Sequence, residues 1–423
     1  MSQPAVPADN LTPEHLLTLY HVSSWINSTL EFDRALDNAI DAIMQVTRAQ
    51  RGFLMIHNEA ENSLQVLVAR GIDGATLESE GYSTTIVGKV VETREPLLTN
   101  NAQFDTRFNA GASIIMRGLR AILCAPMLVQ DRLIGVVYVD TAMKAGAFRP
   151  QDMALLMAVS GMAARAIENA RLYLVAREKG RLEHELQMAS EIQRGLLPRE
   201  MPRVRGYELS PHWEAAREVA GDFYDAFELE DGRLGTVIAD VSDKGAPAAL
   251  FMAVARTLIR SHAHAGLSAY DTVSRTNDLL LPDAEQNGMF VTLFFSQFEV
   301  GGQSVHVNGG HNPPVLYRAA DGQAQLLPQG GRALGWFPNN PLKAMQLQMQ
   351  PGDVIVYYTD GLTDAENPRG EPYGEARLAA CVERCARQPA PDIRVDILRD
   401  VEAFCEGNPP FDDLTMLVVR YTG

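Results

Sequence analysis

Cysteine is scarce: four thiols, Cys124, Cys381, Cys385 and Cys405, in 423 residues are too few for a disulfide framework, and a reduced, cytoplasmic compartment is expected. Nowhere does an apolar run approach the ~18 residues that a membrane span needs. Residues Met1–Pro7 lack both the basic stretch and the apolar core of a secretion signal. Basic charge is also in short supply, with 37 Lys and Arg against 53 Asp and Glu and a net charge of −16. The imbalance is uneven. Residues 1–204 carry 20 basic and 23 acidic side chains, and residues 205–423 carry 17 and 30. Such a surface repels a phosphate backbone, so neither nucleic acid nor membrane is an expected partner. What is present is ordinary: 46% hydrophobic and 21% charged residues exclude disorder, collagen or coiled coil as the whole answer. The length predicts two or three domains.

Apolar residues recur at helical spacing from Leu16 to Ala49, with a break near Asn27-Ser28 that separates two helices. The period then changes to two. Gly52–His57 and Leu64–Ala69 flank a polar turn and predict a hairpin, and Ala121–Val129 with Leu133–Val139 predict a second. Between them lies a glycine-punctuated stretch, 71–118, of the kind that often faces a ligand. From Gln151 to Leu197 no proline interrupts a helical pattern; a continuous helix of that length spans ~70 Å. A parallel pairing with a second copy is expected for it, the alternative being two shorter helices broken near Gly180. Its apolar face is read as Leu182, Leu186, Ala189, Ile192 and Leu196. Strands, a helix over Pro247–His264, a second near Ala269–Leu281 and further strands complete an α+β pattern.

The acidic half contains a constellation of aspartates. Two strand-like runs, Asp222–Leu229 and Leu234–Val241, meet at a turn whose Gly232 supplies a positive φ, which centres the hairpin on residue 231. Asp222 and Asp240 are equidistant from that centre, so they face each other across the ladder. Like charges so placed are tolerable with a proton or a cation between them, and octahedral Mg²⁺ or Mn²⁺ suits oxygen ligands. The alternative is a register slipped by one, with both carboxylates solvated. Asp360-Gly361 ends the strand Asp353–Thr359, and Asp412-Asp413 stands before the strand Leu414–Tyr421. Each could be simple turn chemistry; their recurrence in one acidic domain argues for a shared site.

The strings Glu218-Val219-Ala220-Gly221-Asp222-Phe223-Tyr224-Asp225, Ala239-Asp240-Val241-Ser242-Asp243-Lys244-Gly245, Gly310-His311-Asn312-Pro313-Pro314, Tyr358-Thr359-Asp360-Gly361 and Asp412-Asp413-Leu414-Thr415 resemble, in order and spacing, the SpoIIE-type branch of the PPM metal-dependent serine/threonine phosphatases. The resemblance implies an α-β-β-α sandwich holding two Mn²⁺ or Mg²⁺ ions. It implies Asp222, Asp240, the carbonyl of Val241, Asp360 and Asp412 as metal ligands, with Asp413 as the fallback for Asp412, and Asp222, Asp240 and Asp360 as the catalytic set. Two such cations acidify a shared water that attacks phosphorus in line. Lys244, Arg217 and His311 are candidates for holding substrate. The bland alternatives are solvent exposure for Lys244 and Arg217, and for His311 bonding to its own turn. Asp243 departs from the family, which often has Gly there, and is read as exposed. Cys381 and Cys385 sit one helical turn apart without the further ligands of a zinc set, which favours buried thiols.

The N-terminal half is similar to a GAF domain, through Gln50-Arg51-Gly52-Phe53-Leu54, Ile86–Glu92, Leu123-Cys124-Ala125-Pro126-Met127 and Gly135-Val136-Val137-Tyr138-Val139-Asp140. The expected organisation is a flexible tail at 1–12, a GAF-like sensor at 13–160 that answers an unknown small-molecule or protein signal, a helical linker and dimerisation segment at 161–203, and a phosphatase domain at 204–423. The resemblance implies hydrolysis of phosphoserine or phosphothreonine on a small partner protein, an anti-sigma-factor antagonist of a partner-switching pathway. The rivals are a pseudophosphatase that only binds its phosphoprotein, and a nucleotide cyclase, which also pairs two aspartates with two metals.

Overall fold

The computed structural model describes residues 13–26, 28–59, 61, 63–71, 81–100, 102, 105, 121–141, 147–409 and 412–423. The expected tail and much of the glycine-punctuated stretch 71–118 lie outside the described residues. The chain divides into two compact units, Met1–Arg181 and Leu182–Gly423.

The first unit opens with helices α1 (Pro13–Ile26) and α2 (Phe32–Thr47), separated where Asn27-Ser28 predicts a break. Strands β1 (Arg51–Asn58), β2 (Ser63–Gly71), β3 (Leu97–Thr99), β4 (Ala121–Val129) and β5 (Arg132–Thr141) form an antiparallel sheet in the order β2-β1-β5-β4-β3. Both expected hairpins are present, with Asn58 opposite Ser63 and Val129 opposite Arg132. The second turn is one residue shorter than its sequence suggests, because Gln130 takes a φ of 56° and Arg132 already pairs. Helix α3 (Thr84–Thr93) starts at Ser83, whose hydroxyl accepts the amide of Ile86, an N-cap that satisfies an otherwise orphaned donor. Helices cover both faces of the sheet: Leu36, Ile40, Ile43, Val137 and Val139 pack on one side, and Ile86, Val90, Val136 and Tyr138 on the other. Burial on both faces is why β5 reads as a solid apolar run instead of an alternation.

Helix α4 runs unbroken over Pro150–Leu196, 47 residues, so the alternative of a break at Gly180 is not what forms. Leu156, Val159, Ala163, Ile167 and Ala170 belong to the core of the first unit, and residues 171–185 are exposed all round. On the face read as apolar, Ile192 is 67% exposed, and Gln193 beside it is buried. Among the described residues no helix is long and apolar enough to cross a membrane.

The second unit is an α-β-β-α sandwich. Strands β6 (Tyr207–Glu214), β7 (Phe223–Glu228), β8 (Leu234–Val241), β9 (Val291–Phe298), β10 (Gln303–Gly309), β11 (Val315–Arg318), β12 (Gln323–Leu326), β13 (Ala344–Gln348), β14 (Val354–Tyr358) and β15 (Leu414–Tyr421) make two antiparallel sheets, ordered β13-β10-β9-β8-β7 and β12-β11-β14-β15-β6. Period-two patterning divides each strand between two cores. On β9, Leu293 and Phe295 face helices α5 (Ala246–His264) and α6 (Ala269–Asn287), and Phe294 and Phe298 face the other sheet. On β14, Val354, Val356 and Tyr358 face helices α8 (Glu375–Cys385) and α9 (Ala390–Cys405), and Ile355 and Tyr357 turn inward.

Between the sheets a polar chain is buried. His306 lies between the hydroxyls of Ser296 and Ser304 at 2.8 and 2.9 Å, and Ser296 meets the Tyr357 hydroxyl at 2.9 Å. Burial favours the neutral ring and lowers His306 from 6.5 to about 3. The unfolded chain therefore binds a proton near pH 6.5 that the folded chain refuses, so this contribution to stability is complete above that pH and is lost as pH falls. Between pH 7 and pH 5 the loss is about 2 kcal/mol. Urea denaturation at the two pH values is expected to show that difference shrinking by a comparable amount in His306→Gln; an identical pH dependence in the variant would refute the assignment.

Candidate metal centre

The site begins with a turn. Leu229 N–H donates to the Arg233 carbonyl at 2.8 Å and Gly232 N–H to the Leu229 carbonyl at 2.9 Å, with Gly232 at φ +80°. From there the ladder runs Glu228↔Leu234 to Phe223↔Ala239, and one further step sets Asp222 across from Asp240, as the turn arithmetic requires. Each carboxylate acts directly on the other. Asp222 is buried and also accepts the Thr359 hydroxyl at 2.6 Å.

The second sheet brings the other acids to the same end of the sandwich. Strand β14 stops at Thr359, and Asp360 opens the short helix α7 (Asp360–Thr363). Gly361 is obligatory there. A Cβ on it would fall 2.0 Å from the Asp413 carbonyl oxygen, so the absence of a side chain is what lets the β14 end abut Asp412-Asp413. A similar contact stands on the other sheet, where a Cβ on Gly221 would lie 2.8 Å from the carbonyl oxygen of Val241. That carbonyl therefore reaches the loop carrying Asp222.

Asp412 and Asp413 have different duties. The carboxylate of Asp413 accepts the amides of Ala216 and Gly221 at 2.8 and 2.9 Å, so it holds the loop that leads into Asp222. Asp412 is half-buried and takes the Lys244 ammonium at 2.8 Å. Lys244 is thus on a ligand candidate, not simply in solvent. Asp243 is exposed, as expected, and has φ +69°; that backbone favours glycine, which explains why Gly suits the position. Arg217 is exposed in the 215–222 loop. His311 is buried, with its ring nitrogens on the Thr292 hydroxyl at 2.8 Å and the Tyr358 carbonyl at 3.1 Å. Both ring nitrogens are committed inside the protein, on Thr292 and Tyr358 of other strands and not within its own turn. Burial lowers its pKa to about 4 and keeps the ring neutral.

The electrostatics are those of crowded acids. Burial, and next the Asp360 carboxylate, push Asp240 up to about 7. Burial and then Asp240 push Asp222 well above the usual carboxylate range. Burial and then Asp412 raise Asp360. Among the described residues no three His, Cys, Asp or Glu side chains surround one point closely enough to hold an ion. The acids group as two pairs, Asp222 with Asp240 and Asp360 with Asp412, and Asp360 also acts on Asp240. Pairs suit Mg²⁺, which keeps several waters and takes one or two carboxylates. The Lys244 ammonium on Asp412 offsets part of the negative charge that these aspartates gather.

Three side chains outside the expected set position these acids. Thr359 donates to Asp222 and accepts the Thr415 amide at 3.0 Å. Thr359→Val should leave that buried amide without a partner, at about 1–3 kcal/mol, and lower metal affinity roughly tenfold or more. Manganese titration beside urea denaturation checks both, and wild-type values would remove Thr359 from the site. Trp213 Nε1 donates to the Asp222 carbonyl at 2.9 Å. Gln193, near the end of α4, grips Ala220 from both sides: its Nε2 donates to the Ala220 carbonyl at 2.6 Å, and its Oε1 accepts the Ala220 amide at 3.0 Å. The signal missed was a polar residue at the spacing that continues Leu182, Leu186 and Ala189.

Comparison with known proteins agrees with this architecture. The family described as Stage II sporulation protein E (SpoIIE) matches residues 230–422, and the GAF domain family matches residues 31–167. Asp240, Asp360 and Asp412 fall inside the first match; Asp222 precedes it. Protein IcfG of Synechocystis sp. is 33% identical over 263 residues, which are 56% of this chain and 41% of that protein. Phosphoserine phosphatase RsbU of Bacillus subtilis is 25% identical over 190 residues, 45% of this chain and 56% of that protein. The chain thus spans about half the length of these relatives. The SiaA-PP2C domain of Pseudomonas aeruginosa has a similar fold, with a TM-score of 0.53 at 23% identity over 58% of this chain and 99% of that domain.

Proposed function

We propose that this chain, in which a GAF domain over 31–167 is followed by a SpoIIE-type domain over 230–422, is a signal-regulated, metal-dependent protein serine/threonine phosphatase. The observation that carries this reading is the buried Asp222–Asp240 pair, crowded by Asp360 and Asp412 from the opposite sheet. Two divalent cations, Mn²⁺ or Mg²⁺, would be held by Asp222, Asp240, the Val241 carbonyl, Asp360 and Asp412, and when bound supply a water acidic enough to attack phosphorus. The chain's own residues do the positioning. Thr359 orients Asp222, Asp413 fixes the loop before it, and Lys244 is within reach of Asp412 to meet phosphoryl oxygens entering the acidic nest. Arg217, exposed on the neighbouring loop, is a second cation for the substrate.

The substrate class follows from the resemblance: phosphoserine or phosphothreonine on a small partner protein, an anti-sigma-factor antagonist. Manganese-dependent release of phosphate from such a phosphoprotein by the full chain tests the reading. Tight binding without release would favour a pseudophosphatase, and a cyclic product from ATP or GTP would favour a cyclase.

Control is assigned to the GAF domain and α4. Along its middle α4 leaves Leu172, Val175 and Leu182 exposed at 52, 55 and 48%, at the alternating three- and four-residue spacing of a coiled-coil seam once Lys179 is counted. A lone helical stretch of that length is marginal in water, and pairing with the same stretch of a second copy covers it. Leu182→Lys is expected to shift the chain from dimer to monomer in sedimentation at micromolar concentration. A wild-type chain that sediments as a monomer would sink the dimer. At its far end α4 delivers Gln193 to Ala220, two residues before Asp222, so a change in the helix has a direct path to a ligand.

A further inference from the structure

Helix α8 places Cys381 and Cys385 one turn apart on its buried face. Their thiols share that face, and the Cys385 Sγ donates to the Val382 carbonyl at 3.8 Å. Both line a surface cavity of about 350 Å³, together with Arg384, Asp396, Arg399 and Asp400. The Tyr373 hydroxyl donates to Asp400 at 2.6 Å, and Arg384 pairs with the other oxygen of Asp400 at 2.6 Å. A cysteine used only for packing looks different. Cys124 is buried among Ile122, Val136 and Tyr138, and burial alone drives its thiol up.

We infer that Cys381 and Cys385 form a redox-modifiable dithiol that closes into a disulfide when a hydroperoxide enters the cavity. The Cys381 thiolate attacks one peroxide oxygen; an S–O bond forms, the O–O bond breaks, and the departing oxygen takes a proton to leave as water or alcohol. Cys385 then attacks the Cys381 sulfur, the S–S bond forms, and the sulfenic oxygen leaves as water with the Cys385 proton. Two thiols lose two electrons, and the peroxide gains them. The neighbouring Cys385, and after it the Arg384 guanidinium, hold the Cys381 thiol below its ordinary range, which marks it as the attacking group.

Closure is feasible because of where the pair sits. Side chains four apart on a helix have Cβ atoms about 5–6 Å apart, and a disulfide needs roughly 3.5–4.5 Å. Cys385 is the last residue of α8, so its turn can tighten without breaking the ladder behind it. The strain keeps the bond accessible to a thiol reductant. Among the described residues no third ligand joins the two sulfurs around a metal ion.

The test treats the full chain with hydrogen peroxide and maps peptides without reduction. Cleavage after Arg384 separates the two cysteines, so the expected product is a linked peptide pair lighter by two hydrogens, with the four free thiols falling to two and restored by dithiothreitol. Cys385→Ser should stop at a Cys381 sulfenic acid trapped by dimedone, and Cys405→Ser should leave the yield of the linked pair unchanged. Consumption of Cys405 while Cys381 and Cys385 remain alkylatable would overturn the inference. So would a Cys381 that gives no dimedone adduct in Cys385→Ser.

Discussion

Asp240→Asn is expected to abolish manganese-dependent turnover while leaving the metal-free protein more stable than wild type. The opposite signs share one cause. Asp222 and Asp240 are held together out of water, which is costly for two carboxyl groups and useful for holding a cation between them. An amide at residue 240 donates its own N–H to Asp222, so no proton or ion is required there, and roughly 1 kcal/mol of relief should appear as a melting temperature about 2–4 °C higher in EDTA. Removing the charge that holds a cation costs several kcal/mol of transition-state stabilisation, about 10³-fold in rate. Paired measurements of melting in chelator and phosphate release in manganese separate this from a merely structural aspartate, whose loss would lower both. Wild-type manganese uptake and turnover in the variant would remove the foundation of the proposed function.

Gly361→Ala is expected to destabilise the second unit by about 3 kcal/mol and to weaken manganese binding at least roughly tenfold. The added methyl would sit 2.0 Å from the Asp413 carbonyl oxygen and 2.8 Å from its carbon. Both neighbours are backbone, so no flexible side-chain end can yield. The strand end carrying Asp360 must retreat from the one carrying Asp412, and the two acids part. Urea denaturation with a manganese titration on the same preparation measures both effects. A variant with wild-type stability and affinity would show that the two strand ends are not as closely joined as the contact implies.

These two residues illustrate how legibility divides. The facing of Asp222 and Asp240 could be counted from the chain, because a three-residue turn with glycine at the positive-φ position sets a register that propagates two residues at a time. The same local logic placed both hairpins of the first unit and the aspartates that abut β14 and β15. The sandwich layers and GAF-like unit were legible through ordered motifs spread across the chain, not through any one of them.

What could not be read were choices made by partners far away in sequence. Asp412 and Asp413 are adjacent and chemically identical, yet Asp413 is claimed by amides 197 and 192 positions earlier, which leaves Asp412 to face Asp360. Ile192 is read as part of an apolar face, yet it is the neighbouring Gln193 that is buried, held by the Ala220 backbone 27 residues on. His311 is a candidate for holding substrate in the sequence, and in the fold Thr292 and Tyr358 take both its nitrogens. The sequence by itself determined which acids exist, which strands carry them and which two face across a hairpin, since turns and period-two ladders act over a few bonds. Tertiary structure alone decided which oxygens remain available, because a buried polar atom is satisfied by whatever the folded chain brings beside it.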